Sequence, residues 1–74
     1  MEDRKLPFDV RIYDKEPVEV KNRFSGESCT LEPDAVAVYD TIIGAKAVGD
    51  IITIRKGLNW FRKYFPSEYF TLLD

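Results

Sequence analysis

The chain has 74 residues, a mass of 8.6 kDa and a formal net charge of −2. That is room for one small domain, and 45% apolar with 32% charged residues is the mix of a globular protein, which excludes wholesale disorder and a membrane-embedded chain. A core of this size leaves only ~3–5 kcal/mol of net stability. With one Cys and no His, neither an internal disulfide nor a zinc site of ordinary ligands can add to it, so dense packing or a partner chain must.

The first residues, Met1-Glu2-Asp3-Arg4-Lys5, mix acids and bases without an apolar stretch of signal-peptide length behind them. The longest apolar tract, Ala35 to Val48, is broken by Asp40 and Lys46 and falls short of the ~20 residues of a membrane span. The expected location is the cytoplasm, with no membrane contact. The near-zero net charge conceals a pattern. Residues 29–50 hold Glu32, Asp34, Asp40 and Asp50 against Lys46, whereas residues 51–65 hold Arg55, Lys56, Arg62 and Lys63 and no acid. An acidic segment thus precedes a basic one.

Taken in chain order, Phe8, Val10 and Ile12 alternate with Asp9, Arg11 and Tyr13, which predicts a strand. Asp14-Lys15-Glu16-Pro17 reads as a turn, after which Val18, Val20 and Phe24 resume the alternation. Ser25-Gly26 suits a two-residue hairpin turn because Gly takes positive φ without steric cost. That turn sets Asn22 opposite Cys29 and Val20 opposite Leu31, and it predicts a small antiparallel hairpin or meander.

At Glu32-Pro33-Asp34 the period changes, since Pro at a first helical position and acids in the first turn start helices. A first helix is expected from Pro33 to Val48 with Val36, Tyr39, Ile43 and Ala47 on its core face and Ile42 beside them. Gly49 suits a C-terminal cap and Asp50 an N-cap, the short joint of a helical hairpin. The second helix, 51–65, carries Ile51, Ile54, Leu58, Phe61 and Phe65 within an arc of ~80°. That stripe is read as core. Arg55, Lys56, Asn59, Arg62 and Lys63 share another face, and Thr53, Gly57, Trp60 and Tyr64 a third. Phe65-Pro66 ends the helix, and Pro66 opens a last short one through Leu72.

Chemistry is sparse. Without His, acid–base work falls to carboxylates, Lys, Tyr or Cys. Asp40, inside the apolar helix-one run, is the best single candidate, although a solvent-facing helix residue explains it as well. Ser25, Ser28 and Cys29 have no base to activate them. The expectation is no enzyme, no cofactor and no metal. A helix, a Gly turn and a basic helix are compatible with a helix-turn-helix through Ala45, Gly49 and Leu58, but the positions it should bury fall on Asp50 and Arg55. Pro33 to Pro66 also matches one tetratricopeptide unit in length, yet Ile54 and Phe61 stand where such a unit needs small residues. Gly57 in mid-helix costs about 1 kcal/mol relative to Ala, which suggests that something packs closely on that face. Trp60 and Tyr64 flank it, and they are interface-prone types.

Arg23-Phe24-Ser25-Gly26-Glu27-Ser28, Ala37-Val38-Tyr39-Asp40-Thr41-Ile42-Ile43-Gly44-Ala45 and Lys56-Gly57-Leu58-Asn59-Trp60-Phe61-Arg62-Lys63 resemble small proteins of marine tailed phages, including those infecting cyanobacteria. The likeness spans about residues 20–74, ends in Tyr69-Phe70-Thr71-Leu72-Leu73-Asp74, and leaves the residues before about Val18 uncovered. It implies a source and the host cytoplasm, and no assigned activity. Small early phage proteins commonly act by binding a host enzyme or machine.

These readings converge on an α+β domain over residues 1–74, with 1–6 flexible, 7–31 β-rich and 33–74 helical. The expected function is non-enzymatic protein binding, as a phage accessory protein that binds and modulates a host protein. Its surface would be Gly57, Trp60 and Tyr64, with Arg55, Lys56, Arg62 and Lys63 at the edge. Nucleic-acid binding by the basic helix is the alternative, and strand edges offer a further route to partner or homodimer pairing. The bland reading of Gly57 and Trp60 is that the last helix or the sheet covers them.

Overall fold

Two helix joints organise the chain, and both follow from single residues. Gly49 takes the left-handed conformation (φ 74°) and its N–H returns to the carbonyls of the preceding turn, which closes one helix. Asp50 at once opens the next, its carboxylate accepting the Thr53 N–H at 3.2 Å and the Thr53 hydroxyl at 2.7 Å. At the second joint Phe65 leaves helical geometry ahead of Pro66, as the pre-proline clash requires.

In the computed structural model, which describes residues 5–22 and 24–73, the elements are β1 (Val18–Lys21), β2 (Ser28–Leu31), α1 (Pro33–Val48), α2 (Ile51–Tyr64) and α3 (Pro66–Leu72). This is the expected α+β order of an N-terminal antiparallel hairpin, a helical hairpin and a short C-terminal helix. The helix bounds agree with the sequence reading to within a residue, α2 ending at Tyr64 rather than at residue 65.

The β-rich half is smaller than expected. Among the described residues only β1 and β2 are strands, and Phe8–Tyr13 runs as an unpaired strap. The alternation has strand periodicity, but no strand among the described residues lies beside it to complete a sheet. Lys5 and Leu6, expected to be flexible, are placed by contacts: Leu6 and Phe8 pack on the core, and the Lys5 carbonyl accepts the Trp60 Nε1–H at 2.8 Å. The remainder of the expected flexible stretch, residues 1–4, lies outside the described residues.

The hairpin register is two residues away from the expected one. Val20 lies opposite Cys29 and Val18 opposite Leu31, because the turn is not Ser25-Gly26 alone. Asn22 builds a longer loop: its Oδ1 accepts from the N–H of Phe24 and Ser25, and its carbonyl accepts the Gly26 N–H at 2.9 Å. Gly26 still supplies the positive φ, 80°. A shift of two preserves the faces, so Val18, Val20, Cys29 and Leu31 all point inward. Phe24, read as continuing the strand, instead stands fully exposed in the loop. Asn22 Nδ2 donates to the Thr71 carbonyl at 2.8 Å, fastening the loop to α3.

The core also presents different helix faces. On α1 Ala35, Val36, Ala37, Val38, Ile42 and Ala45 are buried, so Val36 and Ile42 lie inside as expected and Tyr39 is half-buried, while Ile43 and Ala47, also expected inside, are exposed. The buried arc is wider than the expected one and extends to the Val38 and Ala45 side. α1 is apolar nearly all round, so periodicity alone cannot choose its inner side. On α2 the buried residues are Gly57, Trp60 and Phe61, with Ile54, Leu58, Tyr64 and Phe65 half-buried and Ile51 exposed. The inner arc is rotated by roughly 60° toward the Gly57 side.

Gly57 explains that rotation. A Cβ there would fall 2.6 Å from Ile42 Cδ1, a fully buried side chain, and 3.6 Å from Phe8 Cζ. Something does pack closely on this face, and it is α1 together with the N-terminal strap rather than α3 or the sheet. Trp60, 5% exposed, sits in an aromatic cluster with Phe61, Tyr64 and Phe65 at ring distances of 5.3–5.5 Å.

Two substitutions test this core by urea unfolding. Gly57→Ala should destabilise by roughly 1–2 kcal/mol, overpacking against Ile42 exceeding the helix propensity gained. Trp60→Ala removes ~3–5 kcal/mol, comparable with the whole stability of so small a core, and should leave the chain unfolded.

Candidate functional site

Because Gly57 and Trp60 are inside the molecule, the expected partner surface of Gly57, Trp60 and Tyr64 is not available as a patch. The first two are buried and Tyr64 is half-buried. The four cations of that expected site, Arg55, Lys56, Arg62 and Lys63, are all exposed. The same rotation that carries Gly57 inward carries them outward.

The outward side of α2 spans ~140° and consists of Ile51, Ile52, Arg55, Lys56, Asn59, Arg62 and Lys63, with no acid among them. At its N-terminal end Val48, Ile51 and Ile52 are 80%, 63% and 69% exposed, forming an apolar tip where the two long helices meet. This tip was not foreseen, because Ile51 fitted the core stripe and Val48 the end of α1. The cations are not equivalent. Arg62 donates to the Tyr69 hydroxyl at 2.9 Å and its guanidinium lies 4.9 Å from that ring's centroid, so it is held against α3. Lys63 lies 5.2 Å over the Tyr64 ring. Lys56 is near enough to Asp50 to help hold that carboxyl below its usual range, after the dominant Thr53 hydrogen bonds. Asp50 and Arg55, which a helix-turn-helix would bury, are both exposed.

A second apolar feature lies on the opposite side of α1. Phe24, Tyr39, Ile43, Leu72 and Leu73 line an open groove of about 870 Å³, with Asp40 and Lys46 at its margin. A smaller cleft of about 350 Å³ separates the strap residues Asp9–Arg11, Tyr13 and Asp14 from Val36, Ala37, Asp40 and Thr41 of α1.

Asp40 stands on the ridge between these two hollows. Loss of solvent, and secondarily the charge of Asp14, push its carboxyl above the ordinary range. It is an exposed helix residue that shares the larger groove with Ser25 and the smaller cleft with Asp14, while Ser28 lines neither. Cys29 is half-buried on the inner face of the sheet, and burial first, then Glu68, raise its thiol pKa. A protonated, shielded thiol is a poor nucleophile. Among the described residues no cluster of His, Cys, Asp or Glu is placed to hold a metal ion, and no helix is long and apolar enough to cross a membrane.

No family model matches the chain, and no curated protein or solved structure is significantly similar to it.

The Asp40 shift has a definite sign in stability. A raised carboxyl pKa means the folded chain holds its proton more tightly than the unfolded chain, so the fold weakens as pH rises through the folded pKa. Asp40→Asn should therefore unfold at higher urea or temperature than the parent at pH 7, and the two should converge below the unfolded carboxyl pKa of about 4.

Proposed function

We propose that the chain is a non-enzymatic protein-binding module that docks an acidic surface of another protein on the outward side of α2. The observation that carries this reading is the arc itself: Arg55, Lys56, Arg62 and Lys63 with no intervening acid, next to the exposed Val48, Ile51 and Ile52. An apolar tip continued by a row of cations matches the composition of interface patches, where Ile and Arg bury against a partner and complementary charge steers encounter. A chain of net charge −2 with four of its eleven Lys and Arg residues on one acid-free helix face is locally polarised toward an anionic partner. The resemblance to small marine phage proteins supports a partner in the host, with the chain acting as an accessory factor that modulates it in the host cytoplasm.

Nucleic acid is the competing anionic partner, and the same arc makes it the second reading. The two differ in what the aliphatic tip contributes and in salt. Retention of a protein from nuclease-treated cyanobacterial lysate should be lost with Ile51→Ser/Ile52→Ser and also with Arg55→Glu/Lys56→Glu, since all four side chains are exposed and their replacement leaves the fold intact by circular dichroism. Loss of retention on nuclease treatment alone would favour nucleic acid. So would direct oligonucleotide binding that weakens about 150-fold between 50 and 200 mM salt, the slope expected for four phosphate contacts.

A further inference from the structure

The strap Asp9–Asp14 has the sequence alternation of a strand and no strand beside it. It runs without a bend or turn, and among the described residues none of its main-chain N–H or C=O groups is hydrogen-bonded. Asp9, Arg11 and Tyr13 are exposed, and Ile12, from the inward set, remains 47% exposed. A straight row of unused donors and acceptors is what an added strand binds.

The side chains select the added strand. Asp9 and Arg11 flank Val10, so the segment is electrostatically complementary to itself when run antiparallel about Val10. That register sets Asp9 opposite the partner's Arg11 twice and Val10 opposite the partner's Val10, and it brings Ile12 to the partner's Phe8, where the strap ends in the bend at Pro7 and Phe8. Opposite charges and apolar pairs directly across a ladder are both favourable. The neighbouring registers are worse. A slip of one residue sets inward side chains against outward ones. Centring on Arg11 opposes two like charges, and centring on Ile12 sets the apolar Val10 opposite the partner's Asp14.

We infer that the chain forms a twofold dimer by antiparallel pairing of residues 8–12 with the same residues of a second copy. The ladder satisfies the main-chain groups on one edge of the strap and covers Ile12. It shares no residue with the outward arc of α2, so it stands or falls independently of the function proposed above.

Light scattering behind size exclusion, and sedimentation across a concentration series, test this on the full chain. The parent should form a particle of twice the 8.6 kDa chain mass. Arg11→Asp, which opposes two acids at each end of the ladder, should weaken the dimer by about tenfold or more while the circular dichroism spectrum is unchanged. Asp9→Arg combined with Arg11→Asp should restore it by exchanging the charges. Amide hydrogen exchange of residues 9–12 should slow as concentration rises. A parent that stays monomeric at the highest concentration overturns the inference. So does a dimer indifferent to Arg11→Asp, a folded double variant that fails to re-form it, or exchange at residues 9–12 that ignores concentration.

Discussion

The absence of one side-chain carbon at Gly57 sets how the two long helices meet. Any Cβ there would collide with Ile42, and Ile42 is itself fully buried, so the close approach of α1 and α2 exists only because position 57 is glycine. From that approach the rest follows. α2 is rolled so that Trp60 and Phe61 turn inward, Phe8 can lie over the contact, and the Trp60 indole reaches the Lys5 carbonyl. The roll has an outer consequence of equal weight. Cations and buried aromatics occupy opposite arcs of one helix, so turning the aromatics in turns Arg55, Lys56, Arg62 and Lys63 out.

A chain of this size with one Cys and no His leans on packing, and its aromatic C-terminal third provides a dense share of it. Rings from Trp60, Phe61, Tyr64 and Phe65 meet on one another, while Tyr69 receives Arg62 both as hydrogen-bond donor and as cation over its face. The radius of gyration, 11.5 Å, is close to the ~11 Å of a well-packed globule of this length. Aromatic material is thus largely spent within one chain. The large apolar residues left outside are the aliphatics Ile12, Ile43, Val48, Ile51 and Ile52 and the aromatics Tyr13, Phe24 and Phe70.

The parts of this fold that could be read from the sequence are those set by one residue's own chemistry. Pro33, Gly49, Asp50 and Pro66 each act through local geometry, and each element boundary fell where that geometry puts it. Faces and pairings depend on what lies across the contact, and these went astray in specific ways. α1 offers apolar side chains in every direction, so Ile43 and Ala47 were as plausible inside as Val38 and Ala45. Gly57 announces a close contact on its face, but the side chain that makes it, Ile42, belongs to another helix, so the sequence alone does not turn the core stripe toward it. The Asn22 side chain lengthened the hairpin loop through hydrogen bonds that Gly26 alone does not announce. The cationic half of the candidate surface was visible because charges prefer solvent wherever the helix rolls; its aliphatic half was not, since an exposed Ile looks like a core one.

Two hydrogen bonds tie sequence-distant segments to the middle of the fold: Trp60 to Lys5, 55 residues apart, and Asn22 to Thr71, 49 apart. The inner face of the hairpin is covered by α3, the last element made. During synthesis the N-terminal half therefore emerges with strands, strap and loop all awaiting partners that are still inside the ribosome. The tertiary contacts of the N-terminal half form only once residues 60–72 have been made, and until α3 exists the inner face of the hairpin has no cover.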